Sequence, residues 1–130
     1  MRGASTEQCG PGADLIFYVL SQAMLRQNER SVIAVAYVVT AKWTAREGEE
    51  KAVLSAIQSL VEPSRAEPGC LLYLPNRDPE NPRVFFMYEH YTDEAAYAAH
   101  GSSEHFQRLA VGDAIPRLET RERSFYETLD

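Results

Sequence analysis

Several features that would place this chain quickly are scarce or missing. It has two cysteines, one tryptophan and three histidines in 130 residues. Cys9 and Cys70 lie far apart and in no metal-ligand spacing. Neither a disulfide scaffold nor a zinc cluster is indicated, and both read as reduced thiols, Cys70 as a small core residue in or beside a strand. Positive charge is in deficit: 13 Lys and Arg against 19 Asp and Glu give a net charge of −6. That sign repels phosphate backbones and anionic lipid, so nucleic acid and membrane are not expected as partners. The apolar run from Leu15 to Leu20 is too short to span a bilayer, which needs about twenty residues. Glu7 and Asp14 precede it, where a signal peptide would carry basic residues, so the expected location is the cytoplasm. Also missing are a glycine-rich phosphate loop, a nucleophile elbow and a pair of catalytic carboxylates. Glu89 with Asp93 or Glu94 reads as a strand end followed by a helix cap.

What is there is the material of one globular domain. Apolar residues make up 45% of the chain and charged residues 25%, ordinary for a folded protein of this length. Residues 1–13 are small, polar and punctuated by Gly and Pro, and read as a flexible tail. Residues 14–26 suit a short helix or a strand, with helix preferred. Residues 1–30 are therefore read as an extension and 31–130 as the domain.

Ser31 to Ala41 is rich in β-branched residues and reads as a first strand, apolar enough to be covered on both faces. Thr44 and Glu47 have capping-box spacing, which predicts a helix from there to about Ala66. Its buried face would carry Val53, Ile57, Leu60 and Val61. Glu67-Pro68-Gly69 ends the helix, and Cys70 to Leu74 begins a second strand. Residues 76–82 form a turn built from Asn, Asp and Pro, and Arg83 to Tyr91 is a third strand. Thr92 or Asp93 caps a helix that Gly101 stops at His100. Ser102 or Ser103 caps another from Glu104 to about Ala114, and Leu118 to Tyr126 is the last strand. Trp43 is expected just past the first strand, covering one end.

This order, β-α-β-β-α-β with the second helical segment broken, predicts an α+β, ferredoxin-like fold with an antiparallel four-stranded sheet under helices on one face. The apolar first and third strands imply that the other face is covered as well. A symmetric homodimer, sheet against sheet, is the simplest cover.

From Glu67-Pro68-Gly69-Cys70 onward, through Tyr73, Asp78, Pro82, Phe86, Tyr88-Glu89, Asp93, Ala96, His100, Ser103 and His105-Phe106, the sequence resembles the antibiotic biosynthesis monooxygenase (ABM) family of dimeric α+β barrel proteins. The resemblance runs over residues 32–126. It implies a homodimer with one pocket per subunit between sheet and helices. It also implies oxidation of a small quinol or polycyclic phenol by dioxygen, without metal, flavin or heme. Heme-degrading relatives carry a first-strand asparagine and a tryptophan where this chain has no asparagine and Tyr91. Two alternatives use the same fold: a non-catalytic small-molecule-binding or assembly module, and an isomerase or dechlorinating enzyme.

The resemblance points to His100, at a helix end, as the base, with Tyr91 beside it in the catalytic pair. Tyr73 and Tyr91 would orient a phenolate by hydrogen bonding. Tyr37 and Phe86 are expected as walls, and Glu89 and His105 as further substrate contacts. Strand alternation puts Phe86, Tyr88 and His90 on one face and Phe85, Met87, Glu89 and Tyr91 on the other. The family match favours the Glu89/Tyr91 face for the pocket. His100 and His105 stand five apart across Gly101, not the i, i+4 pairing of helical zinc sites, so no metal is expected.

Overall fold

The structure is a computed structural model and describes residues 35–129. The helix expected over 14–26 and Cys9 lie outside the described residues, as does the start of the first expected strand. Four antiparallel strands form one sheet: β1 (Tyr37–Ala45), β2 (Cys70–Arg77), β3 (Val84–Tyr91) and β4 (Leu118–Glu127), in the order β2-β3-β1-β4. Helices α1 (Glu50–Arg65) and α2 (Glu94–Ser102) connect them, with a third helical stretch between α2 and β4. The expected ferredoxin-like α+β arrangement is present.

β1 runs four residues further than the composition suggested, to Ala45, because both its neighbours hold it there. Thr44 pairs with Val84 on β3 and with Thr120 on β4. Thr44 is thus committed to the sheet and cannot cap a helix. Instead Gly48, at φ +86°, turns the chain, and α1 begins at Glu50 without a side-chain cap. Trp43, expected beyond the strand, lies within it and points into the core at 3% exposure.

α1 buries the stripe its spacing implies, with Val53, Ile57 and Leu60 sealed against the sheet and Val61 at the margin. Across from them stand Ala41 and Trp43 of β1, Tyr73 of β2, and Phe85 and Met87 of β3. Full burial of each large side chain stabilises the fold by about 1.5–3 kcal/mol. This packing decides the face of β3: Phe85, Met87, Glu89 and Tyr91 lie under the helices, while Phe86 stands outside at 39% exposure.

α2 starts at Asp93, whose Oδ1 accepts from Ala96 N at 2.8 Å, and runs through Gly101 rather than stopping before it. Ser103 caps the next helical turn by accepting from Phe106 N at 3.2 Å. After Phe106 the chain widens into a π-helix, Gln107–Ala114, then tightens into a 3₁₀ turn, Ile115–Arg117. Ala110 and Ala114 on the π-helix are small enough to close directly on α1. No helix of the described residues is long and apolar enough to cross a membrane.

Candidate active site

The chemistry gathers where α2 crosses β3. His100 is 2% exposed, and its Nδ1 lies 2.7 Å from Glu67 Oε2. The same carboxylate oxygen is 2.5 Å from His105 Nε2. A carboxylate only accepts, so this arrangement puts a hydrogen on His100 Nδ1 and another on His105 Nε2. The remaining nitrogen of His100, Nε2, then carries the lone pair. It faces Glu89 Oε1 at 3.8 Å, beyond hydrogen-bond reach. Glu89 in turn accepts from the Tyr91 hydroxyl at 2.5 Å.

Local packing sets this geometry. A β-carbon on Gly69 would lie 2.4 Å from the β-carbon of Ala96, so only glycine lets the loop before β2 press against α2. Gly69 O also accepts from Thr92 N at 2.9 Å. Ala96 and His100 are i, i+4 on α2 and share one face, so this close approach carries Glu67 to His100.

Burial governs the electrostatics. It holds His100 below the usual histidine range, and the Glu67 bond only partly opposes it, so the imidazole is neutral at neutral pH. Burial pushes the Glu89 carboxyl up to about 7, with Tyr91 lowering it and Glu67 raising it further. Tyr73 and Tyr91 are raised well above an ordinary phenol by burial and by Glu89, so their hydroxyls donate rather than ionise. Burial, with Glu67 and Glu89 nearby, raises the half-buried Cys70 thiol to about 11, which leaves it without nucleophilic character at neutral pH.

The structure brings together most of the residues singled out from the sequence. The Tyr73 and Tyr91 rings lie 5.7 and 5.6 Å from the His100 ring. Tyr37 lies further along the same sheet face, 6.0 Å from Tyr97 and stacked 5.9 Å from Phe125. Phe86 is not part of this group. It projects from the opposite face and lines a shallow, open cavity of about 340 Å³ with Lys42, Asn76, Arg77 and Val84. Strand alternation explains the separation, since Phe86 and Glu89 differ by an odd number of residues.

Glu67, Tyr97, Phe106 and the arginines of β4 were not among the site residues read from the sequence, although Glu67 and Phe106 belong to the series that carries the resemblance. Glu67 looked like a helix terminator, though its place in the Glu-Pro-Gly series was a signal. Tyr97 is i−3 from His100 on α2, and its ring stacks 6.4 Å away. Phe106 lies 5.0 Å from His100. The spacing argument against a metal also needs correction. Glu67 adds a third donor, and one atom from each of Glu67, His100 and His105 lies within 4.8 Å of the others. In the arrangement described, hydrogen bonds between these three use the donors that a metal would need.

The family model for antibiotic biosynthesis monooxygenase matches residues 36–111. The crystal structure of a Pseudomonas aeruginosa protein is 32% identical with a TM-score of 0.70, over 75% of this chain and 98% of that one. A structure described as an antibiotic biosynthesis monooxygenase is 27% identical with a TM-score of 0.68, over 72% and 99% of the two chains. A conserved protein of Methanosarcina mazei is 26% identical with a TM-score of 0.66, over 72% and 93%. Comparison with curated proteins gives no match.

Proposed function

Because the chain belongs to the antibiotic biosynthesis monooxygenase family, we propose that it oxidises a small quinol or polycyclic phenol with dioxygen, using no metal, flavin or heme. The observation that carries this reading is the Glu67–His100 pair: a buried, neutral imidazole held at Nδ1. Its other nitrogen is left as a base among Tyr73, Tyr91 and Tyr97.

In this mechanism His100 Nε2 takes the phenolic proton, and Glu67 stabilises the imidazolium. The phenolate passes one electron to dioxygen, and the phenoxyl radical and superoxide join at a ring carbon bearing hydrogen. His100 returns its proton to the distal peroxide oxygen. The O–O bond then breaks as the ring hydrogen leaves as a proton, and hydroxide and proton make water. One phenol and one dioxygen yield one quinone and one water. Tyr73 donates a hydrogen bond to an oxygen that carries charge, while Glu89 holds the Tyr91 hydroxyl and His105 holds Glu67 in place.

The protein acts as a homodimer joined through the outer sheet face. Leu72, His90, Val38 and Tyr126 form one row across that face, and Leu74, Tyr88, Thr40 and Ser124 the next. Leu74 and Tyr126 are 44% and 56% exposed, a patch that suits a second copy of the same sheet.

A second reading, a binding module without turnover, has one observation in its favour. His100 Nε2 faces Glu89, and the Tyr91 hydroxyl is already committed to that carboxylate. Oxygen uptake by metal-stripped protein with hydroquinones and hydroxynaphthalenes, corrected for autoxidation, separates the two. Uptake abolished by His100→Ala supports the oxygenase. A folded protein that binds the phenols without uptake supports the module.

A further inference from the structure

Among the described residues β4 is an edge strand, paired only to β1, and the helices leave most of its inner face open. Its register puts Arg121 opposite Trp43, Arg123 opposite Ala41 and Phe125 opposite Val39. These three therefore share the face of the sheet that carries Glu89 and Tyr91. All three are exposed, although they stand on the face that elsewhere holds the core.

The arginines are set at the edge of an aromatic floor. Phe125 lies 5.9 Å from Tyr37 and 5.7 Å from Tyr97, and Tyr97 lies 5.4 Å from Tyr91. Arg123 Nη1 donates to the Tyr97 hydroxyl at 3.0 Å, and its guanidinium sits 6.0 Å from the Phe125 ring. That contact uses one of its five N–H groups and holds the rest beside the rings. Arg121 forms no ion pair or hydrogen bond among the described residues. Partial burial and the adjacent Arg123 both hold it below the usual arginine range. The acid facing them is Glu89, which senses both arginines and is still held up at about 7 by burial. Two cations thus stand beside the rings, faced by an acid that burial holds up at about 7, in a chain whose net charge is −6.

Resting on the proposed function for a phenolic substrate that reaches His100, we propose that Arg121 and Arg123 form an anion-recognition pair, so that the substrate is an aromatic acid: a phenol or quinol bearing a carboxylate. The ring lies on Tyr37, Tyr97 and Phe125, and the carboxylate lies between the two guanidiniums. A planar carboxylate suits the fork of an arginine. This fixes which edge of the ring turns toward His100.

The test compares 5-hydroxy-1-naphthoate, which carries its carboxylate on the edge away from the hydroxyl, with 1-naphthol by calorimetry, at low and at 0.5 M salt. Wild-type protein is expected to bind the acid at least tenfold more tightly than the naphthol, with a margin that shrinks in high salt. Arg121→Gln/Arg123→Gln should lose that margin, with circular dichroism and the denaturant midpoint showing that the fold survives. Equal affinity of the wild type for both compounds overturns the proposal, as does a margin that persists in the double variant. Binding of neither compound overturns it together with the aromatic site it rests on. An acid preference that depends on the arginines, with no oxygen uptake, keeps this inference and sinks the oxygenase reading.

Discussion

Glu67 and His100 are 33 residues apart in sequence, yet a single carboxylate oxygen lies 2.7 Å from the imidazole Nδ1. The contact decides which nitrogen of His100 is available, because the carboxylate fixes the hydrogen on the other. It also raises the His100 pKa against the larger depression caused by burial.

Replacing Glu67 with Gln tests this directly. Removing the anion lowers the His100 pKa further, so the acid limb of the kcat/KM profile moves to lower pH. A rate loss on the order of 10²-fold is expected, since a carboxamide does not favour one tautomer as strongly. A rate loss with an unmoved acid limb would mean that Glu67 has only a structural role.

Gly69→Ala forces two β-carbons together where the structure allows 2.4 Å. Overpacking of this kind costs about 1–3 kcal/mol, and the displaced loop carries Glu67 away from His100. Denaturant unfolding and activity should fall together. Adding Ala96→Gly removes the clash and restores part of both, despite about 1 kcal/mol lost to glycine within α2.

Glu89 carries a pH signature of its own. Its carboxyl lies at about 7 in the fold against an ordinary value near ~4.5, so the unfolded chain gives up its proton first as pH rises. The Glu89 contribution is therefore full below the unfolded value and is lost as pH climbs to about 7, by an amount on the order of 3 kcal/mol. Glu89→Gln flattens that decline in denaturant midpoints measured between pH 4.5 and 8. The Gln side chain still accepts from Tyr91. An unchanged slope would show that Glu89 ionises normally.

The outer face makes a separate prediction about assembly. Sedimentation should give twice the 14.6 kDa chain mass. Leu74→Glu, which puts a charge at the β2 end of one of the rows across that face, should shift the protein toward the single-chain mass. A wild type that sediments as one chain rules out the homodimer.

Chelator treatment addresses the three donors at Glu67, His100 and His105. Under the cofactor-free reading, oxygen uptake after exhaustive EDTA dialysis equals that of untreated protein, and added zinc does not raise it. Activity lost to EDTA and recovered with metal would turn the cluster into a metal centre.

Local pattern was enough for much of the fold. The alternation of Arg83 to Tyr91 separated Phe86 from Glu89 and Tyr91, and the apolar spacing of Val53, Ile57 and Leu60 defined the buried stripe of α1. His100 was recognisable from its motif and its helix-end position. These features are legible because side-chain direction repeats every two residues in a strand and about every 3.6 in a helix. The Thr44–Glu47 capping signal misled for a complementary reason. Helix-capping chemistry is local, but pairing with β3 and β4 claimed Thr44 for the sheet.

Other decisions belonged to tertiary structure alone. Periodicity assigns residues to two faces of a strand without saying which face meets the helices; packing of α1 on Phe85 and Met87 decided that and put Phe86 outside. The union of Glu67, His100 and His105 depends on a loop approaching a helix at Gly69, a contact with no trace in local spacing. The placement of Arg121 and Arg123 beside Tyr97 depends on the register between β1 and β4, strands separated by most of the domain. By itself, then, the sequence determined the element order, the buried stripe of α1 and the two faces of β3. Which of those faces met the helices, and with it the gathering of Glu67, His100 and His105, was decided by long-range packing, because contacts between distant segments form only when the whole core closes.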